Sequence, residues 1–166
     1  MKTIQTSAGD FVSVSDEDFA MLSKHAWHTD KEGYAATNVR SPSAKRGWTK
    51  VRMHRLVLPT ASLIDHIDRN PLNNTRENLR ACDHSQNQFN RGAASNNKCG
   101  LKGVSYHTKT SRWFSRIKRY GRQIHLGYFD TPEEAHEVYC LAADMLHGEF
   151  ANHGEAIVKR RLAGGE

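Results

Sequence analysis

Hydrophobic positions in this chain come in short runs between long polar stretches, and their spacing changes along its length. Phe11, Val12 and Val14 mark a first short strand. Ser15-Asp16-Glu17-Asp18 has the form of a helix start, with Ser15 as cap. Phe19, Met21, Leu22 and Ala26 would supply the inner face of a helix ending near Trp27, which is placed in the core. Residues 33–39 read as a strand, 41–47 as a turn-rich loop, and 48–58 as a second strand. In that second strand Val51, Met53 and Arg55 alternate with Arg52 and His54. Pro59 closes a first part, residues 1–60, read as a small sheet unit with a short helix.

The next stretch, residues 61–92, has little apolar surface. Leu63 and Ile64 form a short strand that delivers Asp65 and His66. Residues 68–74 contain Pro71 and many amides, and are expected to be an irregular polar loop. Residues 79–82 read as another strand. Asp83 then caps a helix with Gln86 at its third position, and Asn87 and Asn90 share a face of that helix. Residues 93–100 are small and polar, a linker.

In the last part, residues 101–152, three strands are expected at 101–107, 112–120 and 123–129, with a tight turn at Gly121. The middle strand alternates Trp113, Ser115, Ile117 and Arg119 against Arg112, Phe114, Arg116 and Lys118. Thr131-Pro132-Glu133-Glu134 is a strong helix start. Ala135, Val138, Tyr139, Ala142 and Leu146 then form one apolar stripe, and Gly148 stops the helix. A helix on one face of a three-stranded sheet leaves the other face open. The fold class is therefore α+β, with a basic tail over residues 153–166.

Charge sharpens this picture. The formal net charge is +6 over 166 residues. Residues 1–32 carry three basic and six acidic side chains, residues 40–58 six basic and none acidic, residues 101–122 seven basic and none acidic. The first basic block holds Arg52 and Arg55; the second holds Lys102, Arg116, Lys118 and Arg122. Two such blocks fit two footprints on a phosphate backbone, the alternative being solvated strand faces. Cys82, Cys99 and Cys140 are widely spaced with no CxxC pair, so no structural zinc is expected. A reduced intracellular setting is the default, with no membrane span and no signal-peptide core.

The chemistry concentrates between Leu63 and Arg91. Phosphodiester hydrolysis needs a group that activates water, charge stabilisation at the phosphate, and help for the departing 3′ oxygen. His66 is the candidate base, Asp65 a carboxylate ligand and Asn87 an amide-oxygen ligand. So few protein ligands suit magnesium, with manganese as a substitute. Adjacent strand residues point to opposite faces, so Asp65 and His66 can share one site only if the strand ends or twists there. For Asp65 and His66 the bland reading is a salt-bridged turn, and for Asn73 and Asn74 turn capping is preferred to any catalytic role. His54 is read equally as a phosphate contact or a spacer; His84, His136, His147 and His153 read as surface residues.

Asp65-His66-Ile67-Asp68, Asn70, Asn73-Asn74, Asn78-Leu79-Arg80, Asn87 and Asn90 together resemble the HNH family of homing endonucleases, in particular its phage intron-encoded branch. The resemblance implies a ββα-metal fold and DNA cleavage. It also implies His66 as general base, Asp65 and Asn87 as metal ligands, Asn78 as a loop-organising residue that helps orient the histidine, and Asn90 as a further residue near the metal. Residues 101–152 resemble the plant APETALA/ethylene-response-factor DNA-binding domain, through Lys102-Gly103-Val104, Leu126-Gly127-Tyr128-Phe129 and the helix behind them. That resemblance implies a sheet in the major groove, with Lys102, Ser105, His107, Arg116, Lys118 and His125 facing DNA. His125 and Ser105 depart from the plant pattern, where Trp and Arg are usual, so no target sequence follows. The expectation is a monomeric, magnesium-dependent endonuclease acting on double-stranded DNA without a small-molecule cofactor. Its rivals are a non-catalytic DNA-binding regulator on the same scaffold and an RNA-directed protein.

Overall fold

The computed structural model describes residues 1–154. The chain divides into two compact units, Met1–Asp83 and a second that starts at His84. From residue 155 onward the expected basic tail lies outside the described residues.

The first unit opens with β1 (Lys2–Gln5) and β2 (Phe11–Val14), an antiparallel pair. β1 was not anticipated, since its single partly buried residue, Ile4, leaves no alternating pattern. Helix α1 (Asp16–Leu22) ends before Trp27 instead of reaching it. The Trp27 indole N–H caps the helix end by donating to Leu22 O at 2.8 Å, and its ring fills the core. Ser15 stands at the N-cap position without capping α1; its hydroxyl accepts from Arg76 N at 2.9 Å.

β3 (His28–Thr29), β4 (Ala35–Arg40) and β5 (Trp48–Arg52) form an antiparallel sheet. The strand expected over residues 48–58 turns into helix α2 (Met53–Val57) halfway along. Met53, Leu56 and Val57 fall at helical spacing, and all three face the core, which outweighs the strand-like alternation before them. β6 (Leu63–His66) pairs antiparallel with β8 (Leu79–Cys82). Within the loop between them, Asn73–Asn74 is not irregular: it forms β7, parallel to β2. One core of Val12, Val14, Leu22, Trp27, Ala35, Met53, Val57 and Leu79 joins these elements. A fully buried Leu22 or Met53 contributes about 2 kcal/mol.

The second unit begins with α3 (His84–Phe89). β9 (Val104–His107), β10 (Arg112–Arg119) and β11 (Arg122–Phe129) follow as an antiparallel sheet in the order β11-β10-β9. α4 (Pro132–His147) packs on one face of it. The α4 start is as anticipated, with Thr131 Oγ1 accepting from Glu134 N at 3.2 Å. Its buried line is Ala135, Tyr139, Ala143 and His147. His147 is therefore not a surface residue: its Nε2–H donates to Lys118 O at 2.9 Å and its ring stacks on Phe89 at 3.7 Å. Among the described residues no helix is long and apolar enough to cross a membrane.

Gly103, just before β9, lies directly against Tyr139 of α4. Its φ is +81°, and a Cβ there would sit 2.0 Å from Cδ2 of Tyr139. Gly103→Ala should therefore cost about 3 kcal/mol, from left-handed backbone strain and overpacking together. Denaturant unfolding would check this; an unchanged midpoint would contradict the packing described.

Candidate active site and nucleic-acid interface

β6 ends at His66, which is still paired with Leu79 in the ladder. Asp65 and His66 are both buried, at 5% and 6% exposure, although neighbouring strand residues ordinarily point apart. Asp65 stands opposite Arg80 in the β6–β8 register. Arg80 Nε and one terminal nitrogen both donate to Asp65 Oδ2, at 2.9 and 2.7 Å. This charge-assisted contact fixes the carboxylate against the strand.

His66 sits among rings. Its centroid is 5.2 Å from that of His54 and 5.7 Å from that of Tyr34, while Tyr34 and His54 are 5.4 Å apart. His54, read from sequence as a strand residue, lies instead on α2 and is buried. On the other side, His66 Nε2 is 3.4 Å from Asn74 Oδ1. Burial lowers the pKa of His66 below that of a free imidazole, outweighing the upward pull of Asn74, Asp68 and Asp65. Burial, reinforced by His66, Arg55 and Arg52, pushes His54 down to about 3.

The loop between β6 and β8 is knotted by Asn78. Asp68 N donates to Asn78 Oδ1 at 3.0 Å, and Asn78 Nδ2 donates to Asp68 Oδ1 at 2.9 Å and to Asn73 O at 2.8 Å. Asp68 also accepts from Asn70 N and from Asn73 Nδ2. Partial burial raises the Asp68 pKa, but these hydrogen bonds and His66 together bring it below the usual carboxylate value. Arg76 then ties the loop to α1 through two 2.8 Å bonds to the buried Asp18 carboxylate. Asp65, His66 and Asn78 thus all belong to the first unit. Asn87 lies on α3 in the second unit, and Asn90 just beyond that helix, where its side-chain oxygen accepts from Asn152.

Arg52 and Arg55, proposed from charge as DNA contacts, are engaged inside the first unit. The Arg52 guanidinium pairs with Asp30 and Glu32, each at 2.9 Å, and lies 4.2 Å over the Tyr34 ring. Burial raises the Asp30 pKa, but bonds from Tyr34 N, Lys50 and Arg52 drive it well below the usual range. Arg55 donates to Ala61 O at 2.7 Å.

In the second unit, register places Ser105 and Tyr128 opposite Phe114, His107 opposite Arg112, His125 opposite Arg116, and Gln123 opposite Lys118. These residues share the sheet face away from Ile117 and α4. The face carries a ring cluster of His107, Phe114, His125 and Tyr128, with centroids 4.8 to 6.2 Å apart. Arg116 lies 5.5 Å over Phe114 and is exposed, as is Lys118. Two sequence candidates fall elsewhere. Arg122 pairs with Arg119 and so shares the Ile117 face, and Lys102 donates to Phe89 O at 2.7 Å.

Among the described residues no three His, Cys, Asp or Glu side chains are grouped as a metal cage. Asp65 offers a buried carboxylate, the oxygen type a hard cation takes, and Arg80 already donates to one of its two oxygens. Sequence reasoning missed His54, Tyr34, Asn74 and Arg80 around Asp65–His66, and Tyr128 on the open face. Arg80 alone had a readable signal, since aligning the two short strands sets it opposite Asp65.

Two families match the chain, in its middle and in its last part. A family described as HNH endonuclease matches residues 58–89, and one described as AP2 domain matches residues 99–149. An uncharacterized HNH endonuclease of Acanthamoeba polyphaga mimivirus is 32% identical over 151 residues, 86% of this chain and 74% of that protein. The chain belongs to the HNH endonuclease family. Protein 3.8 of Escherichia phage T7 is 34% identical over 94 residues, 57% of this chain and 77% of the phage protein. The HNH match spans the β6–loop–β8 segment and α3, while the AP2 match spans the three-stranded sheet and α4.

The buried histidines of this HNH protein give its first unit a pH signature. A histidine held neutral in the fold resists protonation that the unfolded chain accepts below about pH 6.5, so its stability contribution is full above that value and lost as pH falls. His54 alone should cost about 2 kcal/mol between pH 6.5 and pH 5. The wild-type melting temperature should drop over that range, and His54→Leu should flatten the drop. An equally steep drop in the variant would show that His54 is not held neutral.

Proposed function

We propose that this HNH protein is a homing-type DNA endonuclease. In this reading the second unit holds duplex DNA and His66 activates the water that hydrolyses a phosphodiester. The observation that carries it is a buried imidazole at the end of β6, its pKa held below the free value by burial, next in sequence to a carboxylate fixed by Arg80 and followed by a polar loop that Asn78 closes. A neutral imidazole can take a proton from water near pH 7, as a general base must. Asn78 holds the loop ends together and so keeps the strand terminus, and His66 with it, in place.

Asp65 would hold a divalent cation, magnesium with manganese as substitute. Asn87 is assigned as its second ligand from its place in the HNH motif. When bound, such an ion supplies positive charge to the phosphate and to the departing 3′ oxygen. Residues 61–92 then form the nuclease module, 93–100 a linker, and 101–152 the DNA-binding domain. On the open sheet face Arg116 and Lys118 supply phosphate contacts, while His107, Phe114, His125 and Tyr128 supply a flat aromatic surface. A monomer with one such site nicks a single strand; cutting both strands takes two events.

Supercoiled plasmid should be nicked in magnesium, left intact in EDTA, and left intact by His66→Ala, whose duplex binding should persist. Tight duplex binding with no cleavage by the wild type would instead identify a regulator. For the docking face, Lys118→Ala should weaken duplex binding several-fold and lower the slope of log K against log salt by about 1. An unchanged slope would remove Lys118 from the phosphate contacts.

A further inference from the structure

Asn74 is fully buried at 1% exposure, yet its side chain is polar and stands on a strand of only two residues. A buried amide needs partners for both ends. Its nitrogen donates to Pro71 O at 3.1 Å, which fixes which end of the amide is which. Its oxygen therefore faces His66 Nε2, at 3.4 Å. An amide oxygen can only accept, so the contact requires the proton of the neutral imidazole to be on Nε2. Nδ1 is then left with the lone pair.

The rings of Tyr34 and His54 flank the same imidazole. A half-turn of the His66 ring would put carbon where Nε2 now meets the amide, and would have to pass those neighbours. β7 is held by pairing to β2, with Val14 opposite Asn74, so the amide is carried by the sheet and not by a free loop. Turn capping accounts for the nitrogen, which bonds Pro71 O, and leaves the oxygen, which is aimed at a histidine.

We propose that Asn74 is a positioning residue that sets the tautomer of His66, holding the proton on Nε2 and so making Nδ1 the atom that accepts a proton from water. The inference rests on His66 being the general base, the reading given above. An imidazole of the wrong tautomer presents N–H to the water and cannot act as base until it rearranges.

The test uses the full chain labelled with nitrogen-15 histidine, free of metal in EDTA at pH 7.5, and reads His66 from a long-range proton–nitrogen spectrum. The His66 signal is assigned by its loss in His66→Gln. Wild type should show the Nε2–H form. Asn74→Leu should lose that preference and nick plasmid on the order of 100-fold more slowly in kcat with little change in KM. Asn74→Asp, which keeps an acceptor in place, should retain the Nε2–H form. A wild-type Nδ1–H form, or an unchanged tautomer in Asn74→Leu, would overturn the proposal. If Asn74→Leu does not fold, the wild-type and Asn74→Asp spectra still decide. If His66→Ala cleaves as fast as wild type, the base assignment is what fails, while the spectrum reports on Asn74 independently.

Discussion

The side-chain amide of Asn78 bonds to Asp68 N, Asp68 Oδ1 and Asn73 O, and so closes the polar loop between β6 and β8 on itself. That closure is what allows a stretch with almost no apolar content to hold a defined shape. The loop cannot be ordered by hydrophobic burial, so its backbone and side-chain groups must satisfy one another. Once closed, it presents Asn73–Asn74 as a strand to β2, offers Arg76 to Asp18, and ends β6 at His66. The imidazole at the strand end and the buried amide beside it depend on this contact set, while Arg80 holds the carboxylate.

Much of the architecture was legible in the sequence. The strands at Phe11–Val14, Leu79–Cys82 and Arg112–Arg119 and the capped start of α4 follow from alternation and from Thr-Pro-Glu-Glu. Where the reading failed, two periods overlapped or packing decided. Residues 48–58 alternate like a strand at first, yet Met53, Leu56 and Val57 bury together only as a helix. His147 looked like a polar residue near a helix end; Phe89, far back in the chain, provides the ring that covers it.

The site was legible as a set of residue types and illegible as an arrangement. Asp65, His66 and Asn78 stand out by chemistry and spacing. That His54 and Tyr34 wall the imidazole could not be read, because α2 and the β3–β4 turn reach it only through the tertiary fold. Charge was the poorer guide. Arg52 and Arg55 belong to a strongly basic block, but Arg52 answers Asp30 and Glu32, residues outside that block. In β10 the same charge type is displayed instead, because α4 takes the opposite face and the acidic residues of the unit lie mostly on α4 and its approach.

The pairing of Arg80 with Asp65 bears on how the protein is made in the cell. Two nitrogen donors already compensate the buried carboxylate, and they come from the neighbouring strand of the same unit. A chain emerging from the ribosome can therefore complete β6 and β8 with the counter-charge it carries. The compensation of this buried charge is thus built into the strand pair itself.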